Sequence, residues 1–149
     1  MKKKRFLLAA VAALTIGLLG LPLMSCSGEV SFTTAKLSEV TMAKGVDETT
    51  YKPVDKTDTF SPDTPEIFLS AKFSNAPSET EIASEWVYVE GEVADLKDYL
   101  IDSISIDVSG TDYLYFSMPV PDQGWPQGQY QVILYVDGEE AETVSFTVE

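Results

Sequence analysis

Tyr130, Val132, Leu134 and Val136 fall on one parity of the chain, and Gln129, Gln131, Ile133 and Tyr135 on the other. Successive side chains of a strand point to opposite faces, so this alternation predicts a strand whose first set enters a core. Gly124-Trp125-Pro126-Gln127-Gly128 opens the run and Asp137-Gly138 closes it. Asp-Gly is a strong hairpin signal, because a tight two-residue turn needs positive φ at its centre. Residues 141–148 supply the returning strand, with Val144, Phe146 and Val148 on its inward parity. The rest of the chain must then supply strands to pack against this hairpin.

Upstream, the same period recurs. Residues 29–42 are strand-like, with Val30, Phe32 and Thr34 alternating with polar positions. Residues 44–64 are polar and broken by Pro53 and Pro62, so they read as a long loop with a short strand near 51–54. Phe60 is expected to plug one end of the core. Residues 66–74 alternate cleanly, with Ile67, Leu69, Ala71 and Phe73 facing one way. Asn75-Ala76-Pro77-Ser78 is a turn cluster. Residues 82–89 carry Trp86 and Tyr88 on one parity and Val87 and Val89 on the other, which suits a central strand. Residues 91–99 are an acidic connection with room for a helical turn around 94–98. Residues 100–108 place Ile104, Ile106 and Val108 together. Ser109-Gly110-Thr111 is read as another turn. Residues 113–118 set Leu114, Phe116 and Met118 against Tyr113 and Tyr115. About seven strands result, and no convincing amphipathic helix separates them, so the fold class is all-β, a sandwich or barrel.

Charge narrows the function. Four of the ten basic residues are Lys2, Lys3, Lys4 and Arg5; beyond them, 24 acidic residues face six lysines and no arginine, a net of −18. Such a surface repels nucleic acid and anionic headgroups. The sequence has no histidine, which removes the commonest general base and metal ligand.

The N-terminus is laid out for export. A positive start is followed by an apolar run over residues 6–24, which reads as a signal helix over about 3–19. The only cysteine, Cys26, stands where that run stops. Leu23-Met24-Ser25-Cys26 resembles a bacterial lipobox, although Met24 is less usual at its position than a small residue. The resemblance implies that Cys26 takes a diacylglyceryl group and becomes the N-terminus after cleavage. An uncleaved transmembrane anchor and an ordinary secretory signal are the alternatives. On the lipoprotein reading, residues 1–25 are signal peptide, 26–29 a lipidated tether and 30–149 the domain. Ser27 after the cysteine resembles lipoproteins sorted to the outer membrane of a diderm; in a monoderm the same cysteine would hold the domain outside the cell membrane.

Glu85-Trp86-Val87-Tyr88, Gly128-Gln129-Tyr130-Gln131-Val132 and Val144-Ser145-Phe146-Thr147-Val148 together resemble an immunoglobulin-like or fibronectin-type β-sandwich. The resemblance implies that Trp86 fills the core from the third strand. It also implies that Tyr130 forms the tyrosine corner at the start of the penultimate strand. The cysteine pair of antibody domains is absent. The pattern also resembles bacterial lipoproteins that carry one such domain.

Catalysis lacks material. Without histidine there is no Ser–His–Asp or Cys–His set, no glycine-rich phosphate loop occurs, and the carboxylates sit in no distinctive motif. The expectation is no enzyme, no cofactor and no metal site. The acids at 55, 58 and 63, and those at 137, 139, 140 and 142, form no D-x-D-x-D-G calcium loop. Tyr113, Tyr115 and Tyr135 fall on outward parities and Trp125 sits in a turn. These four are the candidate contacts with a glycan or an envelope protein, or else cross-strand pairs and a cap on the core. The expected function is a membrane-anchored, extracytoplasmic binding module with no nucleic-acid partner; the alternative is a carbohydrate-binding or substrate-capture lipoprotein.

Overall fold

The computed structural model describes residues 33–149. The expected signal helix, Cys26, the tether and the first residues of the predicted first strand lie outside the described residues. Seven strands follow: β1 (Lys36–Val46), β2 (Pro53–Lys56), β3 (Thr59–Phe60), β4 (Glu66–Gly91), β5 (Tyr99–Pro119), β6 (Gly128–Val136) and β7 (Glu139–Val148). No helix occurs among the described residues. The strands form one hydrogen-bonded sheet in the order β2-β1-β4-β6-β7-β3, with β5 paired to β4. All pairings are antiparallel except β3 with β7.

The sheet curls because its two longest strands bend. The first half of β4 pairs with β1 and with the second half of β5, Leu69 lying opposite both Met42 and Phe116. The second half of β4 pairs with β6 and with the first half of β5, Ser84 lying opposite both Leu134 and Ile104. Between the halves the register shifts twice, between Phe73 and Ala76 and between Ala76 and Thr80. Asn75 and Glu79 take φ of 54° and 64° there. Bulges of this kind bend a strand without ending it. The predicted turns at Asn75-Ala76-Pro77-Ser78 and Ser109-Gly110-Thr111 are therefore corrected: both are bends inside long strands. The chain kinks at both places, but Ala76 stays paired with Gly110, so the ladder runs through. The connection at 92–98 likewise forms one turn closed by Leu96 N–H on Val93 O (3.1 Å), without a helix.

One layer thus holds β2, β1, the first half of β4 and the second half of β5. The other holds the first half of β5, the second half of β4, β6, β7 and β3. Their inward faces form a single core, an all-β arrangement consistent with a β-sandwich. Ile67, Leu69, Ala71, Phe73, Trp86 and Tyr88 of β4 and Tyr130, Val132, Leu134 and Val136 of β6 are buried, as are Leu114, Phe116, Met118, Phe146 and Val148. Trp86 is fully buried (0% exposed), and Phe60, also buried, meets Phe146 edge-on at 5.5 Å. Tyr130 stacks on Phe146 at 4.9 Å and 12°. The turn between β6 and β7 is tight, with φ of 50° at Asp137 and 82° at Gly138. That pair of positive values is why Asp-Gly is favoured there.

Candidate binding surface

The strands run from end to end of the domain, so its two ends are distinct. The chain enters at one end, where Thr34 Oγ1 donates to Asn75 O at 2.9 Å, beside the bends and the β6–β7 turn. At the opposite end, loops 92–98 and 120–127 enclose a cleft of about 360 Å3. That volume lies within the range of small-ligand sites.

Tyr88, Trp125 and Tyr130 line the cleft between Val93 and Leu96 on one side and the Pro121–Pro126 loop on the other. Local chemistry places each of them. Gly91 pairs with Gly128, and a Cβ on Gly91 would run into Gln127 O and the Tyr88 hydroxyl. The absent side chain lets the backbones close and leaves room for that hydroxyl. It donates to Gln127 O (3.3 Å) and accepts from Val93 N–H (3.1 Å), tying both loops to the sheet. Trp125 N–H donates to Pro62 O at 2.8 Å and its indole Nε1 to Thr64 O at 3.0 Å. Tyr130 donates to Pro126 O at 2.6 Å. Burial, with smaller contributions from Tyr88 and Glu92, pushes the Tyr130 hydroxyl well above the ordinary tyrosine pKa.

Beyond the mouth of the cleft, apolar side chains continue along β5. Tyr99 (52% exposed), Leu100 (48%), Ile101 and Ile106 are exposed, and Val120 joins them from the facing loop. Ile104 and Val108 are half-buried against the core. Tyr99 and Ile101 line the cleft itself. Ile104 and Ile106 point inward, opposite Ser84 and Ile82 of β4, and Val108 does so opposite Thr80. Yet β5 is the last strand of its layer, so less of the other layer faces it. Among the described residues no strand pairs with its second edge. Asp102 Oδ1 takes Ser103 N–H at 2.8 Å on that edge. Sequence reasoning found this strand but not its position at the margin. The signal it carried was apolar residues on both parities at Tyr99-Leu100-Ile101.

The four aromatic candidates do not converge. Tyr113 and Tyr115 lie on the outer face of the first layer, and Tyr135 lies on the outer face of the second. Trp125 is buried (2% exposed) at the base of the cleft. The Tyr113 hydroxyl donates to Glu39 Oε2 at 2.5 Å. A bulge in β1 between Ser38 and Thr41, with Glu39 at φ 51°, aims that carboxylate across β4. The shared proton raises the Tyr113 pKa and lowers that of Glu39, which Lys72 also approaches at 3.8 Å. Tyr115 packs against Tyr51 at 5.2 Å and Phe68 at 6.1 Å. Tyr135 donates to Glu85 Oε2 at 2.9 Å, which raises its pKa too. The acids at 55, 58 and 63 do not gather, and among the described residues no cluster of three or more carboxylates could hold a metal ion.

Charge is divided between the layers. From Phe73 to the C-terminus there are sixteen acidic residues and one lysine, Lys97. Lys97 approaches Glu90 at 3.5 Å. The other five lysines of the described residues, at 36, 44, 52, 56 and 72, precede that point. The cleft and the bare β5 edge therefore stand in the acidic part.

No protein-family model matches the sequence, and no curated protein matches it. Solved structures do. β-Glucosidase 3B from Thermotoga neapolitana in complex with glucose aligns with a TM-score of 0.50 and 11% identity, over 78% of this chain and 16% of that one. Its glycerol complex gives 0.50 and 12%, over 79% and 16%. The alkylpurine DNA glycosylase AlkC from Pseudomonas fluorescens, bound to DNA with an abasic site analogue, gives 0.47 and 15%, over 78% and 31%. The chain spans less than a third of the length of these structures. At such low identity, what it shares with the glucosidase is a fold alone, carried by about a sixth of that enzyme.

Proposed function

We propose that the protein is a lipid-anchored, extracytoplasmic binding module built on an immunoglobulin-like sandwich, without catalysis. Four features support the immunoglobulin-like reading. Trp86 fills the core from the second half of β4. Tyr130, at the start of the penultimate strand, bonds back to Pro126 O. β4 and β5 cross between layers. The short β3 runs parallel to the last strand. Support for anchoring comes from the lipobox-like Leu23-Met24-Ser25-Cys26 behind a charged and apolar leader. Two or three acyl chains give lasting attachment where one does not. The location is then the cell membrane or the outer membrane, facing away from the cytoplasm.

The observation that carries the binding role is the placement of the cleft. It opens at the end of the domain opposite the Thr34–Asn75 contact, and Tyr88, Trp125 and Tyr130 line it. The carbohydrate alternative relied on Tyr113, Tyr115 and Tyr135 as one platform; they sit on two opposite faces, and two of their hydroxyls are engaged by carboxylates. An interaction with an envelope protein is the better reading. Cys26→Ala is the test of the anchor. The variant should accumulate as an unlipidated precursor without stable membrane attachment, read by labelled palmitate and fractionation. Palmitate incorporation equal to that of the parent would refute it.

A further inference from the structure

We infer that the free edge of β5 binds an extended, basic segment of a partner protein, which adds a strand to the acidic layer and seats an apolar side chain in the adjoining cleft. This rests on the proposed binding role and specifies its partner. An unpaired sheet edge is a template for another strand, and folded proteins usually blunt it with lysine, proline or short length. This edge is long, and its first half carries no lysine and no proline. Asp102 and Asp112 each fold onto the next residue's N–H, Ser103 and Tyr113, at 2.8 Å. The stretch between them has no such cap among the described residues. Amides alternate in direction along a strand. With Ser103 N–H facing the open side, those of Ser105 and Asp107 face it as well.

Side chains supply the second half of the argument. Among the described residues, five of the eight exposed large apolar side chains are Tyr99, Leu100, Ile101, Ile106 and Val120, along this edge and the loop facing the cleft. Main-chain bonds give such complexes their affinity, and alternate side chains entering pockets give specificity. Charge selects the occupant. A second copy pairing edge to edge would bring two acidic layers together, while a segment alternating lysine or arginine with apolar residues would meet opposite charge along the whole strand.

The experiment uses the full-length protein in detergent micelles and a short fluorescent peptide of alternating lysine and valine, read by anisotropy. Saturable binding is expected, and it should weaken as salt rises from about 0.05 to about 0.5 M. Ser105→Pro removes one edge donor, and Ile106→Lys places a like charge against the incoming segment. Each should weaken binding about tenfold or more. Ser105→Ala, and Tyr115→Ala on the other layer's outer face, should leave it unchanged. Melting curves identify a variant that fails to fold, in which case the other decides. Equal binding by a glutamate–valine peptide would overturn the basic partner. Absence of binding, or indifference to both edge variants, would overturn the edge. Self-association abolished by the same variants in sedimentation would make the occupant a second copy and overturn the inference. The palmitate result for Cys26→Ala is independent of all these outcomes, so the anchor and the edge can fail separately.

Discussion

Truncating Trp86 isolates the core's largest side chain from every proposed contact. Its indole is fully buried and meets Phe146 at 6.0 Å, yet its Nε1 has no hydrogen-bond partner. A buried tryptophan hides about 150–250 Å2, worth roughly 4–6 kcal/mol at about 25 cal/mol per Å2. The cavity left behind adds to that loss, whereas release of an unpaired N–H returns about 1–3 kcal/mol. Trp86→Ala should therefore cost about 3–5 kcal/mol, a large part of the roughly 5–15 kcal/mol available to such a domain. Trp86→Phe keeps an aromatic ring against Phe146 and sheds the unpaired N–H, so its net cost should stay within about 2 kcal/mol. Urea titration followed by the fluorescence of Trp125, the other tryptophan, reads both variants; their midpoints should separate at a shared slope. Equal losses in the two variants would mean that an aromatic ring against Phe146 contributes nothing at this position, and a loss well above about 2 kcal/mol for phenylalanine would mean that the N–H is bonded. A loss below about 1 kcal/mol for alanine would mean that position 86 is not a core position.

Tyr130→Phe removes the bond to Pro126 O and should cost about 1–2 kcal/mol at neutral pH, read as a lower Tm. Its pH dependence has a definite sign. The folded hydroxyl holds its proton more tightly than the unfolded one, whose pKa is about 10. The stability it contributes is whole below that pH and is lost as pH climbs towards the raised folded value. The variant should therefore lose less stability than the parent between about pH 9 and about pH 11. Some slope survives in it, because Tyr113 and Tyr135 shift the same way; identical slopes in parent and variant would contradict the assignment. Gly91→Ala forces a methyl against Gln127 O and the Tyr88 hydroxyl, and should cost about 1–3 kcal/mol. A Tm equal to that of the parent would show that the two backbones are not held together there.

The strands' inward faces were legible because a period of two is a local property. Ile67, Leu69, Ala71 and Phe73 need only their own spacing to declare a buried face, and all four are buried. Asp137-Gly138 declared its turn for the same reason. The bends at 75–79 and near Gly110 were not legible as bends. Proline, asparagine and glycine mark a kink, but whether the ladder continues through it depends on a partner strand some thirty residues away. The cleft was hidden too. Val93 and Leu96 lie some thirty residues before Trp125, and it is the Gly91–Gly128 approach, the Tyr88 hydroxyl and the paired bonds between Glu92 and Gln127 that draw their loops around one space.

By itself, then, the order of residues determined which side chains share a face, where the tight turn falls, and that no histidine chemistry is open to this chain. Tertiary structure alone decided which of those faces is covered. Ile106 and Leu134 both point inward by parity, yet Leu134 is fully buried and Ile106 is 37% exposed. β6 lies between two strands of its layer and β5 lies at the margin, so the same alternation yields packed core in one strand and bare apolar surface in the other.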